Sequence, residues 1–205
     1  MAVPSFQSQI ERRRRRRLRL IPVIGYAVVA LGLAYFFEQR PSTTVLFVRH
    51  ADTDATVAGD PPLSERGRQR AAVLADFLKD IDVVAGVDAI FIGHNKRTAE
   101  TAAVIAGQTN TSVEARDQDN VASYMRYIMR HHNGDIVLVV ADGEAIPVMI
   151  DELHGSKRLP PFDPNDFDEI YIVTTPWYGK VKTLRLHYGA SSGVVVEESS
   201  EASGG

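Results

Sequence analysis

The stretch TTVLFVRHADT, Thr43 to Thr53, decides how the rest of the chain is read. Thr43 to Val48 are all apolar or β-branched, the composition of a strand buried on both faces, and such strands belong to parallel sheets covered by helices on either side. The run then stops at a cation and an imidazole, Arg49 and His50, followed by Asp52 and Asp54 within four positions. A strand that ends this way is either meeting solvent or meeting a site.

Working outward, strand and helix signals alternate. LSERGRQRAAVLADFLKDI, from Leu63, predicts a helix with Ser64 at its N-cap and Ala71, Leu74, Phe77 and Leu78 on one buried face. VDAIFIG (87–93) reads as a second strand, KRTAETAAVIAG (96–107) as a helix stopped by Gly107, and TSVEAR (111–116) as a short edge strand. QDNVASYMRYIMRHH (118–132) is helical, GDIVLVVA (134–141) is a buried strand, and GEAIPVMIDELHG (143–155) is helical. DEIYIVTT and KVKTLRLHYG read as a hairpin turning at Tyr178-Gly179. The expected fold is α/β, a three-layer sandwich with a mostly parallel central sheet flanked by helices and closed by an antiparallel edge. In such sheets ligands bind beyond the carboxyl ends of the strands, and three polar clusters fall there: Arg49-His50, the GHNKR after the second strand, and the ADGE after the fourth.

The charge is unevenly divided. Residues 1–40 hold eight arginines against Glu11 and Glu38, a balance of +6; with the whole chain at −3, residues 41–205 carry −9. An acidic body argues against binding nucleic acid, and any phosphate ligand needs a local cationic pocket. There is no cysteine, which excludes disulfides, thiolate metal sites and cysteine nucleophiles.

The first forty residues read as an address. Leu20 to Phe37 contain no charged side chain, and eighteen residues in a helix rise about 27 Å, close to the thickness of a bilayer core. Arg12 to Arg17 and Arg19 precede the span and Arg40 follows it, so the positive-inside bias sets the N-terminus in the cytoplasm and the body on the exported side, periplasmic or extracellular. The expected organisation is an Arg-rich segment (1–19), a single-pass transmembrane signal anchor (20–37), a linker (38–43), an α/β domain (44–189) and an acidic tail (190–205). The alternative for the apolar segment is a cleaved signal peptide, with small residues at Gly32-Leu33-Ala34.

At its motifs the sequence resembles the histidine phosphatase superfamily, the group that includes phosphoglycerate mutase. VRHADT matches that family's Arg-His-Gly/Ala at Arg49, His50 and Ala51. LSERGRQRA is similar to its Leu-Thr-x-x-Gly-x-x-Gln-Ala at Leu63, Ser64, Gly67 and Ala71, with Arg70 where glutamine is usual. KRTAETA is similar to its Arg-Thr-x-x-Thr-Ala at Arg97, Thr98, Thr101 and Ala102. The resemblance runs over about residues 43–188 and implies a metal-independent phosphatase without a cofactor, in which His50 is the nucleophile and a phosphohistidine the intermediate. It implies further that Arg49 and Arg97 hold the phosphoryl oxygens, on a phosphorylated small molecule or protein. Where the family has a second histidine after the later strand, this chain has Asp142, and the segment before Arg97 reads Gly93-His94-Asn95. Asp142 is then either an acid held protonated, its pKa raised by phosphate and burial, or the mark of a pocket that binds anions or a partner without catalysis; His94 is placed to supply the missing imidazole.

Among the other polar residues, Asp52 and Asp54 read as solvated loop carboxylates, Glu144 as a first-turn acid favoured by the helix dipole, and His131 and His132 as a helix C-cap. RLPPFDPNDFDE, Arg158 to Glu169, is a proline-rich acidic loop expected on the surface or over the site.

Overall fold

The computed structural model describes residues 21–36, 42–80, 86–160 and 166–189. The chain divides into two compact units, Met1–Arg40 and Pro41–Gly205. In the first, residues 21–36 form a helix, α1, whose side chains are exposed all round; Ile21, Val28, Leu31 and Tyr35 are each more than 60% accessible. Sixteen residues rise about 24 Å. Leu20, Phe37, the arginine run, most of the expected linker and the expected acidic tail lie outside the described residues. Among the described residues no helix is long and apolar enough to cross a membrane.

The second unit is built on one six-stranded sheet. Its elements are β1 (Thr43–Arg49), α2 (Glu65–Asp80), β2 (Ala89–Ile92), α3 (Lys96–Thr109), β3 (Ser112–Ala115), α4 (Val121–His131), β4 (Ile136–Ala141), α5 (Ala145–Glu152), β5 (Glu169–Thr175) and β6 (Lys182–His187). The strand order is β3-β2-β4-β1-β5-β6, parallel from β3 to β1 and antiparallel for β5 and β6. The alternation legible in the sequence therefore becomes the expected mixed sheet with an antiparallel edge.

Each central strand buries both faces because each face has its own helices. Val45, Phe47, Phe91, Val137 and Val139 pack with Met125 and Ile128 of α4 and Met149 and Ile150 of α5. Leu46, Val48, Ile90, Leu138 and Val140 pack with Leu74 and Leu78 of α2 and Ala102 and Ile105 of α3. At about 1.5–3 kcal/mol for each large side chain taken fully out of water, these two layers supply most of the driving force.

Local chemistry sets the boundaries. Ser64 caps α2, its Oγ accepting from Gly67 N–H at 3.0 Å. Gly107 does not stop α3; the helix runs on to Thr109 and closes at Asn110, which takes the left-handed conformation at φ 55°. Asparagine tolerates that conformation, whereas a glycine inside a helix costs only about 1 kcal/mol and can be passed over. α5 is shorter than its 143–155 pattern because Asp142 to Glu144 make a turn, Asp142 carbonyl accepting from Ala145 N–H.

Candidate active site

The parallel register brings the first and third polar clusters of the sequence together. Arg49 pairs with Ala141, so the next residue of each chain segment, His50 after β1 and Asp142 after β4, leave the sheet side by side. His50 N–H donates to Ala141 carbonyl at 3.1 Å, which fixes the start of the loop. Arg97 enters from the first turn of α3, one strand further along.

The residues around these groups explain the spacing of the motifs. Thr101, fully buried, accepts from Ala51 N–H at 3.0 Å and donates to Arg97 carbonyl at 2.7 Å, tying the His50 loop to the turn that carries Arg97. A Cβ on Gly67 would lie 2.0 Å from the Asp52 carbonyl oxygen, so only glycine lets α2 approach this loop. Glu100 accepts from Leu63 N–H at 2.7 Å and Thr98 donates to Asn95 carbonyl at 2.8 Å, which lock α3 against the start of α2 and against its own N-terminal turn.

His50 is buried, and burial is the main reason its pKa lies below the ordinary histidine value; the neighbouring guanidinium groups of Arg49 and Arg97 push the same way, against the Ala51 carbonyl and Asp142. The ring is therefore neutral at pH 7. Its Nδ1 lies 2.8 Å from Ala51 carbonyl, an acceptor only, so the neutral tautomer carries its proton on Nδ1 and presents a lone pair at Nε2. That is the form a nucleophile requires.

Asp142 faces this lone pair. Its Oδ1 is 3.5 Å from His50 Nε2, and both of its oxygens are taken by Arg97, Nε to Oδ1 and Nη2 to Oδ2, each at 2.8 Å. Asn95 adds a long contact of 3.4 Å to Oδ2. The Arg97 hydrogen bonds, more than any other cause, hold the Asp142 carboxyl below the usual carboxylate range. Burial pushes upward, but a bidentate guanidinium outweighs it. In the unliganded pocket Asp142 is an anion and not an acid.

Arg49 is held differently. Its Nη1 donates to Asp166 carbonyl at 3.0 Å and its guanidinium lies 3.8 Å over the Phe167 ring. The same ring meets His50 edge-on at 6.2 Å and lies 5.8 Å from the Arg70 guanidinium. Asp166 and Phe167 thus lie against the site, in keeping with one of the two placements expected for the 158–169 loop, of which residues 161–165 lie outside the described residues. His94 is exposed and lines a polar cavity of about 460 Å³ with Asn95, Asp117, Gln118, Asp119 and Asp142, so it stands on the rim of the site.

Sequence reasoning missed three participants. Phe167 gave no signal beyond an aromatic residue in an acidic loop. Thr101 was visible as a motif position, without its linking role. Asp52 was read as solvated and is not: Arg70 Nε donates to its Oδ2 at 2.7 Å and Arg66 lies 3.7 Å from Oδ1. Arg70, standing where glutamine is usual, was the available clue. Asp54, by contrast, does sit in an exposed turn, accepting from Thr56 N–H and Oγ–H.

Asp166, Glu169 and His187 place ligand atoms within 4.8 Å of one another, the spacing of a metal-binding group. Glu169 is already engaged, by Tyr171 Oη–H at 2.7 Å and by Arg185, and His187 Nδ1 is 3.0 Å from Asp168. The group is a charge network whose carboxylates have partners without an ion.

A family model for the histidine phosphatase superfamily, branch 1, matches residues 45–120, the stretch that holds Arg49, His50, Gly67, Arg97 and Thr101. Over that stretch the sequence is similar to the histidine phosphatase superfamily. The fold agrees. The protein histidine phosphatase SixA in complex with tungstate superimposes with a TM-score of 0.59 at 20% identity over 70% of this chain and 96% of that one. A phosphohistidine phosphatase SixA from Nakamurella multipartitia gives 0.53 at 18% identity, covering 73% and 98%. Phosphoglycerate mutase from Plasmodium falciparum gives 0.52 at 18%, covering 73% and 91%. At these identities the likeness is one of fold. No curated protein matches the chain.

Proposed function

We propose that the protein is a membrane-anchored phosphohydrolase that passes a phosphoryl group through Nε2 of His50, and that it turns over slowly because Asp142 stands where the superfamily has a histidine. The observation that carries the reading is the neutral imidazole, pinned through Nδ1 to Ala51 carbonyl, with the Arg49 and Arg97 guanidinium groups close enough to lower its pKa. In the first step Nε2 attacks phosphorus as the P–O bond to the leaving group breaks, and the bonding pair passes to the leaving oxygen. With Asp142 ionised, the proton for that oxygen comes from water. In the second step water attacks phosphorus, the N–P bond breaks, and the Asp142 carboxylate can take the water's proton, releasing phosphate and neutral His50.

Asp142 acts against the first step. It occupies Arg97 in the fork geometry that a phosphoryl group would take, and it adds negative charge beside an incoming anion. A lost preorganised donor costs on the order of 10² to 10³ in rate.

Anchoring rests on the apolar helix α1, whose exposed surface on every side suits lipid better than water, and on the arginines that precede it. The N-terminus is then cytoplasmic and the domain exported, where its substrate is a phosphorylated small molecule or protein.

The test is phosphate release from an aryl phosphate by the full chain, beside its His50→Ala variant. Turnover lost with His50 supports the reading. A second reading, an anion- or partner-binding module without catalysis, is favoured by the Asp142–Arg97 pair; it takes over if wild type and variant are equally silent from acid to neutral pH.

A further inference from the structure

The end of the sheet opposite His50 carries an exposed aromatic and basic hairpin tip. β5 ends at Thr175 and β6 begins at Lys182, and between them Trp177 is 50% and Tyr178 85% exposed, their ring centroids 6.5 Å apart. Gly179 takes φ 118°, which a side chain would resist, so the turn that presents the two rings is built in. Lys180 and Lys182 follow directly and are exposed, and Leu184, 55% exposed, continues the patch. From Ile170 to Gly189 there is no carboxylate, in a body that carries −9 overall. Asp88 and Asp135, just before β2 and β4 at the same end of the sheet, are already engaged, by Ile136 N–H and by His132.

The register places this tip at the point where the chain enters the domain. Thr43, the first residue of β1, pairs with Thr175, the last residue of β5. Only residues 37–42 separate β1 from the apolar helix α1. Val48, at the far end of β1, pairs with Ile170, so the site lies about 20 Å away along the strands.

We infer that the Pro176–Lys182 hairpin docks on the headgroups of the membrane that holds α1, with Trp177 and Tyr178 at headgroup depth and Lys180 and Lys182 on lipid phosphates. Trp and Tyr favour the interface because one part of each ring system is apolar and the other can hydrogen-bond, and lysine is drawn to lipid phosphate. The rest of the acidic body is repelled by the same phosphates, which makes the hairpin the face that can approach. The inference rests on the anchored reading and stands or falls separately from the chemistry of His50.

Trp177 is the sole tryptophan of the chain, so its emission reports this hairpin alone. The full chain is reconstituted into vesicles of phosphatidylcholine and phosphatidylglycerol, with and without brominated acyl chains, and floated on a density gradient. The expected result is co-flotation, emission at shorter wavelength than in the unfolded chain, and bromine quenching of about half the intensity for an interfacial ring. The Lys180→Glu/Lys182→Glu variant should still float and lose most of that quenching. Co-flotation with unquenched Trp177 overturns the docking and leaves the anchor standing. Failure to float overturns the anchor and the docking with it. Emission that shifts with protein concentration and is indifferent to brominated lipid assigns the tip to contact between copies of the protein, and also overturns the proposal.

Discussion

The ends of β1 and β4 lie in register, yet they bring opposite charge into one pocket. β1 delivers a cation and a neutral imidazole, Arg49 and His50, each held by its own partner: Asp166 carbonyl and the Phe167 ring for one, Ala51 carbonyl for the other. β4 delivers Asp142, whose partner is Arg97, the group that the β1 end needs for a phosphoryl oxygen. One side of the pocket carries the groups that the proposed phosphoryl transfer needs, and the other side engages one of them. Such a site is therefore not a sum of retained motifs. Arg97 keeps its place in sequence and in space, and a single residue on the neighbouring strand decides what it binds.

The largest effect expected is on the β1 side. His50→Ala removes the nucleophile and should lower phosphate release to background, a fall of about 10³-fold or more, with an unchanged melting temperature ruling out misfolding. On the β4 side, Asp142→Asn keeps the shape and removes the charge, leaving Arg97 to an anion; inhibition by inorganic phosphate should strengthen about tenfold, the equivalent of roughly 1.4 kcal/mol. If phosphate inhibits both proteins equally, the Asp142–Arg97 pair does not compete with the ligand.

A third change attacks the frame that both sides share. Gly67→Ala sets a methyl 2.0 Å from Asp52 carbonyl oxygen, so α2 or the His50 loop must move. Overpacking of this kind costs about 1–3 kcal/mol, or roughly 3–10 °C in Tm for a domain of this size, read by thermal denaturation.

The smallest effect is on pH dependence. Because His50's pKa is depressed in the folded protein, its nucleophilic form persists as pH falls through the ordinary histidine value, and activity drops only at lower pH. Stability follows the same sign: below that ordinary value the unfolded chain takes up a proton that the folded ring refuses, so stability declines with falling pH until the folded pKa is reached. The Asp142–Arg97 pair stabilises above the ordinary carboxylate value and is lost as pH falls through the depressed pKa of Asp142. Asp142 raises His50's pKa, so Asp142→Asn should move the acid limb of the rate profile further down. An acid limb that moves up in that variant contradicts the charge assignment.

Most of the scaffold was legible in the sequence because its signals were redundant. The strand composition of 43–48 and 136–140, the helical spacing of 71–78 and the turn at Gly179 each point to the same fold by a different rule. Legibility failed where one local rule was outweighed by another. Gly107 looked like a stop, but Asn110 can adopt the left-handed cap two residues after a stable turn. Asp52 looked solvated, since nothing in its neighbourhood reveals that Arg70, eighteen positions on, folds back against it. The positions of Arg49, His50 and Arg97 were readable from motif and strand end. The ionisation of Asp142 was not, because it depends on whether the guanidinium or the burial acts more strongly, and only the distances decide that.

The most direct test of the account is the rate of phosphate release by the full chain carrying Asp142→His, measured beside wild type and the His50→Ala/Asp142→His double variant. Restoring a donor and freeing Arg97 should raise the rate on the order of 10²-fold, and removing His50 from that variant should abolish the gain. A folded Asp142→His protein that is no faster than wild type would contradict the claim that Asp142 is what holds this site back.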